Sequence, residues 1–259
     1  LTAPKIITLD IETSPIQAFT WGIWQQNIGL SQIIKDWSIL SFSAKTLGEK
    51  AIRYLDVAGQ EDHYDDSAIL AAIWQELDEA DIVIGQNSRR FDHRKINARL
   101  LGLGFPPPSP YKVIDTKVEA AKLGMFTSNK LEWLAAALTD APKDKHKAFP
   151  GFELWRECLA GNPKAWAVMR KYNPKDVIAT EKLYLRLRPF IVGHPNVAAY
   201  IEGDKIACPK CGSRKIEKRG YAYTQGGRYQ RYQCTACGGW ARGRFDTHNK
   251  EQRAVLLSN

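Results

Sequence analysis

Two tight pairs of cysteines constrain this chain more than any other feature. Cys208-Pro-Lys-Cys211-Gly and Cys234-Thr-Ala-Cys237-Gly repeat one pattern, with 22 residues between them. Each glycine permits the tight turn that lets both sulfurs of a pair face one point. Four thiolates form the closed tetrahedral ligand set of a structural Zn²⁺. The intervening stretch has room for a hairpin turning at Gln225-Gly226-Gly227. A redox role is the weaker reading, because two matched pairs flank one hairpin. The fifth cysteine, Cys158, reads as a small buried hydrophobe. An odd cysteine count with no signal-peptide pattern in Leu1–Asp10 speaks for a reducing, cytoplasmic setting rather than a disulfide framework.

The cysteine segment resembles a zinc ribbon over residues 205–240. It also carries most of the chain's charge. The 259 residues have a net charge of +9, and those from Gly203 to Asn259 contribute 12 basic and 4 acidic side chains. A nearly neutral body with a basic tail suggests a catalytic or structural domain joined to a polyanion-binding module. Within the tail, Tyr221, Tyr223, Tyr229, Tyr232 and Trp240 are interleaved with Arg219, Arg228, Arg231, Arg242 and Arg244. Basic groups follow phosphates and aromatic rings stack on unpaired bases. Arg219, Arg228 and Arg231 are therefore candidate nucleic-acid contacts, with a protein-docking ribbon as the competing reading. Pro189, Gly193 and Pro195 mark a break in the chain. The expected organisation is a first domain over residues 1–195, a linker over 196–204 and a C-terminal module over 205–259. No apolar run approaches the roughly 20 residues that a membrane-spanning helix needs.

Before that break, the pattern starts with strands. Lys5–Asp10 reads as a buried strand. Phe19–Ile23, Ser38–Ser43 and Ala51–Asp56 read as further strands. A helix is expected to Glu79, capped by Asp66 or Ser67, with Ile69, Ile73, Trp74 and Leu77 on one face. The strand Asp81–Gly85, the helix Phe91–Leu101 and the strand Val113–Asp115 follow. Helices are then expected over Thr116–Leu123, Lys130–Leu138 and Tyr172–Leu187. Early strands followed by strand–helix alternation give an α/β fold, a mixed sheet flanked by helices. Trp21, Trp24, Trp37 and Trp74 are expected in the core or along a groove wall.

Acidic residues fall at the ends of these elements. Asp10 and Glu12 share one face of the first strand, because strand side chains alternate. Two acids on one face repel unless a cation lies between them, and Mg²⁺ or Mn²⁺ favours such oxygen ligands. Asp92 falls in the first turn of a helix, preceded by Asn87, Arg89 and Arg90. Tyr172 and Asp176 are four residues apart and so lie on one helix face, with Pro174 suited to that helix's first turn. Singly, each feature has a plain structural reading: a polar strand end, a helix cap, a helix start. Asp115 reads as a structural turn residue.

Taken in order, LDIETSP, NSRRFD and YNPKD resemble the DEDDy branch of the DnaQ-like 3′→5′ exonucleases. The resemblance spans residues 5–187. It implies a ribonuclease H-like fold, two catalytic Mg²⁺ or Mn²⁺ ions and stepwise hydrolysis of phosphodiesters from a 3′ end. Asp10, Glu12 and Asp176 would hold one ion. Asp10 and Asp92 would hold the other, and Tyr172 would orient the attacking water. Asn87, Arg89 and Arg90 are candidate substrate contacts, with a loop-stabilising role for Asn87 and a solvated loop for the arginines as the alternatives. DNA, as single strands or 3′ ends, is the first expectation for substrate and RNA the second. A proofreading role would call for a polymerase or a replication or repair partner. The alternative from another class is a non-catalytic recruitment protein that keeps the fold.

Overall fold

The computed structural model describes residues 3–143 and 146–257. The chain divides into two compact units, Lys5–Tyr184 and the region from Leu185 onward. Among the described residues no helix is long and apolar enough to cross a membrane.

The first unit is built on a five-stranded mixed sheet. Its strands are β1 (Ile6–Thr13), β4 (Ile39–Thr46), β5 (Arg53–Asp56), β6 (Ile82–Gly85) and β7 (Lys112–Asp115), in the order β5-β4-β1-β6-β7. β1, β4 and β5 form an antiparallel meander, while β6 and β7 run parallel to β1. Helices α1 (Ser67–Glu79), α2 (Asp92–Gly102), α3 (Thr116–Leu123), α4 (Leu131–Leu138), α5 (Glu153–Leu159) and α6 (Pro163–Leu187) complete the unit, with α6 extending into the region after Tyr184. This is the α/β arrangement of a ribonuclease H-like fold.

The central strand explains itself from its side chains. Ile7, Leu9 and Ile11 enter one hydrophobic cluster with Ile69, Ile73 and Leu77 of α1 and Ile96 and Leu100 of α2. Burying each such side chain contributes about 1.5–3 kcal/mol. The alternate positions, Thr8, Asp10 and Glu12, lie opposite Lys45, Ser43 and Ser41 of β4. That face is polar, and α6 satisfies much of it. Asn173 of α6 accepts a hydrogen bond from Ser43 at 2.7 Å, and Glu181 pairs with Lys45 at 2.7 Å.

Several expectations are corrected. Phe19–Ile23 is not a strand; only Gln17–Ala18 (β2) pairs, with Ile33–Lys35 (β3). The β2–β3 ladder ends at Ala18, and Phe19–Ile23 pairs with no strand of the five-stranded sheet. Trp21 and Trp24 accordingly stand in solvent, 98% and 82% exposed, rather than in a core. Helix α6 begins at Pro163, nine residues before Tyr172, so Pro174 lies inside it rather than in its first turn. Asp66 occupies the N-cap position of α1, but its carboxylate makes no capping bond. It instead pairs in a bidentate manner with Arg99 at 2.6 and 2.8 Å and accepts the Ile39 N–H. The helix α5 had no counterpart in the sequence pattern.

The second unit contains a three-stranded antiparallel sheet, β8 (Ile216–Thr224), β9 (Gly227–Cys234) and β10 (Trp240–Asp246), ordered β10-β9-β8. Thr224 pairs with Gly227, so the β8–β9 hairpin turns through Gln225 and Gly226, as the sequence led one to expect. A short helix, α7 (Lys250–Ala254), follows.

Candidate metal centres

Three of the expected acids meet at one point. Asp10 and Glu12 come from the end of β1 and Asp176 from α6, and their carboxylate oxygens lie within 4.8 Å of one another. Asp176 is buried, while the other two are partly exposed. Asp92, the first residue of α2, is buried beside them and accepts the Ile11 N–H at 3.1 Å. The peptide that joins Asp10 to Glu12 is thus tied to the fourth acid.

Electrostatics show the tension in this cluster. Burial pushes the Asp10 carboxyl well above its ordinary range, and the charges of Asp92, Glu12 and Asp176 push it further. Glu12 is pushed up to about 8, first by burial and then by the charge of Asp176. Asp92 is pushed up to about 7 by burial, against the stabilising backbone N–H groups that it accepts. Such a set is strained as bare anions and matches the oxygen-rich donor set of hard divalent cations. The residues fit the divalent ions that the sequence resemblance implies.

Neighbouring side chains orient the acids, and several were not singled out from sequence. Asn173 donates to Asp10 Oδ2 at 2.6 Å. Trp155 of α5 donates its indole N–H to Glu12 Oε2 at 3.1 Å. Lys143 Nζ lies 2.6 Å from Asp176 Oδ2 and 4.9 Å from the centre of the Tyr172 ring. Asn173 lies within the motif that holds Tyr172 and Asp176, so motif position was the available signal. Lys143 and Trp155 lie in segments without a periodic pattern, and nothing in the sequence marked them.

Tyr172 is buried and enclosed by rings. His146 lies 4.9 Å from it and Trp155 6.1 Å, both edge-on. Burial and the charges of Glu12 and Asp176 raise its phenol pKa, so Tyr172 stays protonated. It can donate or accept a hydrogen bond but does not serve as a ready base. A groove of about 390 Å³ opens beside Glu12, lined by Ser14, Pro15, Phe91, Phe152 and Trp155.

The loop between β6 and α2 is organised by Asp115. This carboxylate accepts the backbone N–H groups of Asn87 and Arg89 and also caps α3 through Lys117 and Val118. Asn87 adopts a positive φ of 62°, and its side chain accepts from Lys117. The Arg89 guanidinium donates to the Val113 carbonyl, while Arg90 is exposed. Asn87 and Arg89 are therefore engaged within the protein, and Arg90 faces solvent.

In the second unit, Cys208, Cys211, Cys234 and Cys237 bring their sulfurs within 4.8 Å of one another. The Cys208–Cys237 and Cys211–Cys234 sulfurs are 3.7 Å apart. A disulfide needs about 2.05 Å. A tetrahedron with metal–sulfur distances of about 2.3 Å has edges of about 3.8 Å. The cluster has the dimensions of a four-thiolate metal site. Burial opposes ionisation of Cys234, but the Cys237 and Ala236 N–H groups and the neighbouring thiols lower its pKa to about 7. Cys158, in the first unit, is fully buried and is pushed up to about 12 by burial.

Comparison with known proteins agrees with the architecture. The chain is 14% identical to the family B DNA polymerase from the hyperthermophilic archaeon Pyrobaculum calidifontis, with a TM-score of 0.50. That match covers 73% of this chain and 25% of the polymerase, so the chain spans about a quarter of the length of that protein. No curated protein matches. The RNase H superfamily model matches residues 7–188, which hold the five-stranded sheet and all four acids. The mixed sheet, the acids at its mouth and this match agree: the chain belongs to the RNase H superfamily.

Proposed function

We propose that the protein is a metal-dependent 3′→5′ exonuclease of the DEDDy type, with DNA as its substrate and RNA as the alternative. The observation that carries this reading is the convergence of Asp10, Glu12 and Asp176 within 4.8 Å, with the charge of Asp92 acting on them and the Tyr172 ring alongside. Two Mg²⁺ or Mn²⁺ ions bound there would offset phosphodiester charge, activate water and stabilise the leaving 3′-oxygen. Asp10, Glu12 and Asp176 would hold one ion, and Asp10 with Asp92 the other. Asn173 and Trp155 fix one oxygen each of Asp10 and Glu12, which leaves the second oxygen of each acid for an ion. Tyr172, held protonated, orients water by geometry rather than by proton abstraction. The groove beside Glu12 receives the terminal nucleotide, and its apolar walls exclude water around it.

The reading extends to the second unit. A first domain over 1–195 would be joined by a linker over 196–204 to a Zn²⁺ ribbon over 205–259. The four-thiolate dimensions and the local surplus of arginine support a ribbon that holds nucleic acid. A partner with polymerase or repair activity would supply the 3′ ends. The odd cysteine count and the four-thiolate grouping favour a reducing, intracellular setting over a disulfide framework.

The test is a time course on 5′-labelled and 3′-labelled single strands of DNA and RNA with Mg²⁺ or Mn²⁺. Early release of the labelled 3′ nucleotide, with a stepwise ladder from the 5′ label, is the expected result. Internal cuts, or release from the 5′ end, would overturn the polarity. Intact strands that nevertheless bind would favour the recruitment reading.

A further inference from the structure

The C-terminal sheet places two arginines directly opposite each other. Arg242 of β10 pairs in register with Arg231 of β9. Residues paired across an antiparallel ladder share a face, and like charges so placed destabilise it. Among the described residues neither arginine has a carboxylate partner, so nothing within the sheet offsets this pair. Each guanidinium instead lies over an aromatic ring on its own diagonal. Arg231 is 5.1 Å from the centre of Trp240, and Arg242 is 4.1 Å from the centre of Tyr229. Tyr229, Arg231 and Gln233 alternate onto one face of β9, and Trp240 pairs with Gln233. The four side chains therefore form one array: ring, guanidinium, guanidinium, ring.

This array suits one kind of ligand. A stacked guanidinium is held flat, with its N–H edge free to bind an oxyanion through two parallel hydrogen bonds. Arg231 spends its Nε–H on the Arg219 carbonyl at 2.9 Å, and the residue is exposed, so its terminal nitrogens remain available to a ligand. The other two arginines expected from sequence are placed differently. Arg219 is paired with Glu217 at 3.0 Å. Arg228 also lies over a ring, 4.8 Å from the centre of Tyr221, but it alternates onto the opposite face of β9 with its Nε–H on Thr247, and no second arginine pairs with it there.

The geometry points to a phosphodiester clamp: Arg231 and Arg242 together grip the sugar–phosphate backbone of a single nucleic-acid strand, held in place by Trp240 and Tyr229. This inference rests on the reading of the second unit as a nucleic-acid module and names the face and the residues that do the binding. The clamp reads phosphate, so it accepts DNA and RNA alike and is indifferent to base sequence. The four-cysteine cluster sets its position, because the Cys234 N–H donates to the Gly239 carbonyl at 2.9 Å, one residue before Trp240.

The test uses the full chain carrying Asp10→Ala, zinc-loaded, with fluorescent single strands of DNA and of RNA followed by anisotropy across a salt series. For single strands, the logarithmic salt slope falls by about 0.7 for each phosphate that the protein ceases to neutralise. Arg231→Ala with Arg242→Ala is expected to weaken both strands at least tenfold at low salt and to flatten the slope by about 1.4. Arg231→Lys with Arg242→Lys keeps the charge but loses the fork, and should restore the slope without restoring the affinity. Arg242→Glu should lose binding while the melting temperature holds or rises, since it replaces a like-charge pair with an opposite pair. That combination separates the clamp from damage to the fold. An unchanged slope in the double alanine variant, an equal loss from Arg228→Ala, or no strand binding at all would overturn the clamp. Cleavage by the chain with Asp10 intact is scored separately, so the clamp and the nuclease reading can fail independently.

Discussion

Replacing Glu12 with Gln should abolish cleavage and, without divalent cations at the acidic cluster, make the protein more stable. The reasoning starts from distance. Carboxylate oxygens of Asp10, Glu12 and Asp176 lie within 4.8 Å of one another. At that separation two unit charges repel by about 3–4 kcal/mol for an effective dielectric constant near 20. Lys143, 2.6 Å from Asp176, offsets part of this, so a net penalty of about 3 kcal/mol on ionised Glu12 is a working figure. The rise of the Glu12 pKa to about 8, led by burial, has the same sign. An acid whose folded pKa lies above its unfolded value of about 4.3 costs nothing while protonated in both states. Between about pH 4.3 and pH 8 the unfolded chain ionises and the folded site resists, so stability falls as pH rises. Gln removes that penalty and still offers an oxygen to the Trp155 indole. In a domain of this size, about 3 kcal/mol corresponds to a rise in melting temperature of about 6–12 °C. Differential scanning fluorimetry on zinc-loaded, magnesium-free protein should show this rise at pH 8 and none near pH 4. Mn²⁺ at a hundredfold excess over its dissociation constant should then stabilise the natural chain by about 2.7 kcal/mol and the Gln variant far less. A Gln variant that is less stable at pH 8, or a gain that does not vary with pH, would refute the electrostatic account.

Asp66→Ala should cost about 3–5 kcal/mol by denaturant titration, because it strands the Arg99 charge and the Ile39 N–H around a fully buried position. A loss under 1 kcal/mol would show that the bidentate pair is not holding α1 to α2. Asn173→Ala removes the donor to Asp10 and the acceptor for Ser43, and should lower the cleavage rate about 10–100-fold with the fold retained. A normal rate would mean that Asp10 needs no such guide. Thiol titration with a coloured disulfide reagent should find none of the five cysteines fast in the zinc-loaded protein and four after chelation. The fifth, Cys158, should react only in denaturant, given its full burial and a pKa near 12.

The legibility of the chain followed the physics of each segment. β1, β4 and β6 were readable because apolar runs in a mixed sheet admit few other placements, and Thr116–Leu123 was readable to its ends. Asp10 and Glu12 followed from strand alternation alone. Phe19–Ile23 misled because alternation makes a strand only where a partner strand runs beside it, and the pairing of β2 with β3 stops at Ala18. Pro174 misled because a proline is a stronger stop signal than the packing of α6 allows; one forgone hydrogen bond is outweighed by the packing of Tyr172, Asn173 and Glu181 on the sheet. Lys143 and Trp155 were hidden for a different reason. They reach the acids from irregular or short segments, where tertiary packing alone decides which side chain arrives. The Arg231–Arg242 pair was likewise invisible, since register across a hairpin with bulges cannot be read from spacing.

The most direct test of the acidic centre is anomalous diffraction from crystals soaked in Mn²⁺. Two peaks about 3.5–4 Å apart are expected, one touching Asp10, Glu12 and Asp176 and the other touching Asp10 on its Asp92 side. Both should vanish in Asp10→Ala crystals, while the zinc signal at the four cysteines persists. Manganese absent from these carboxylates at saturating concentration, or bound unchanged without Asp10, would contradict the account.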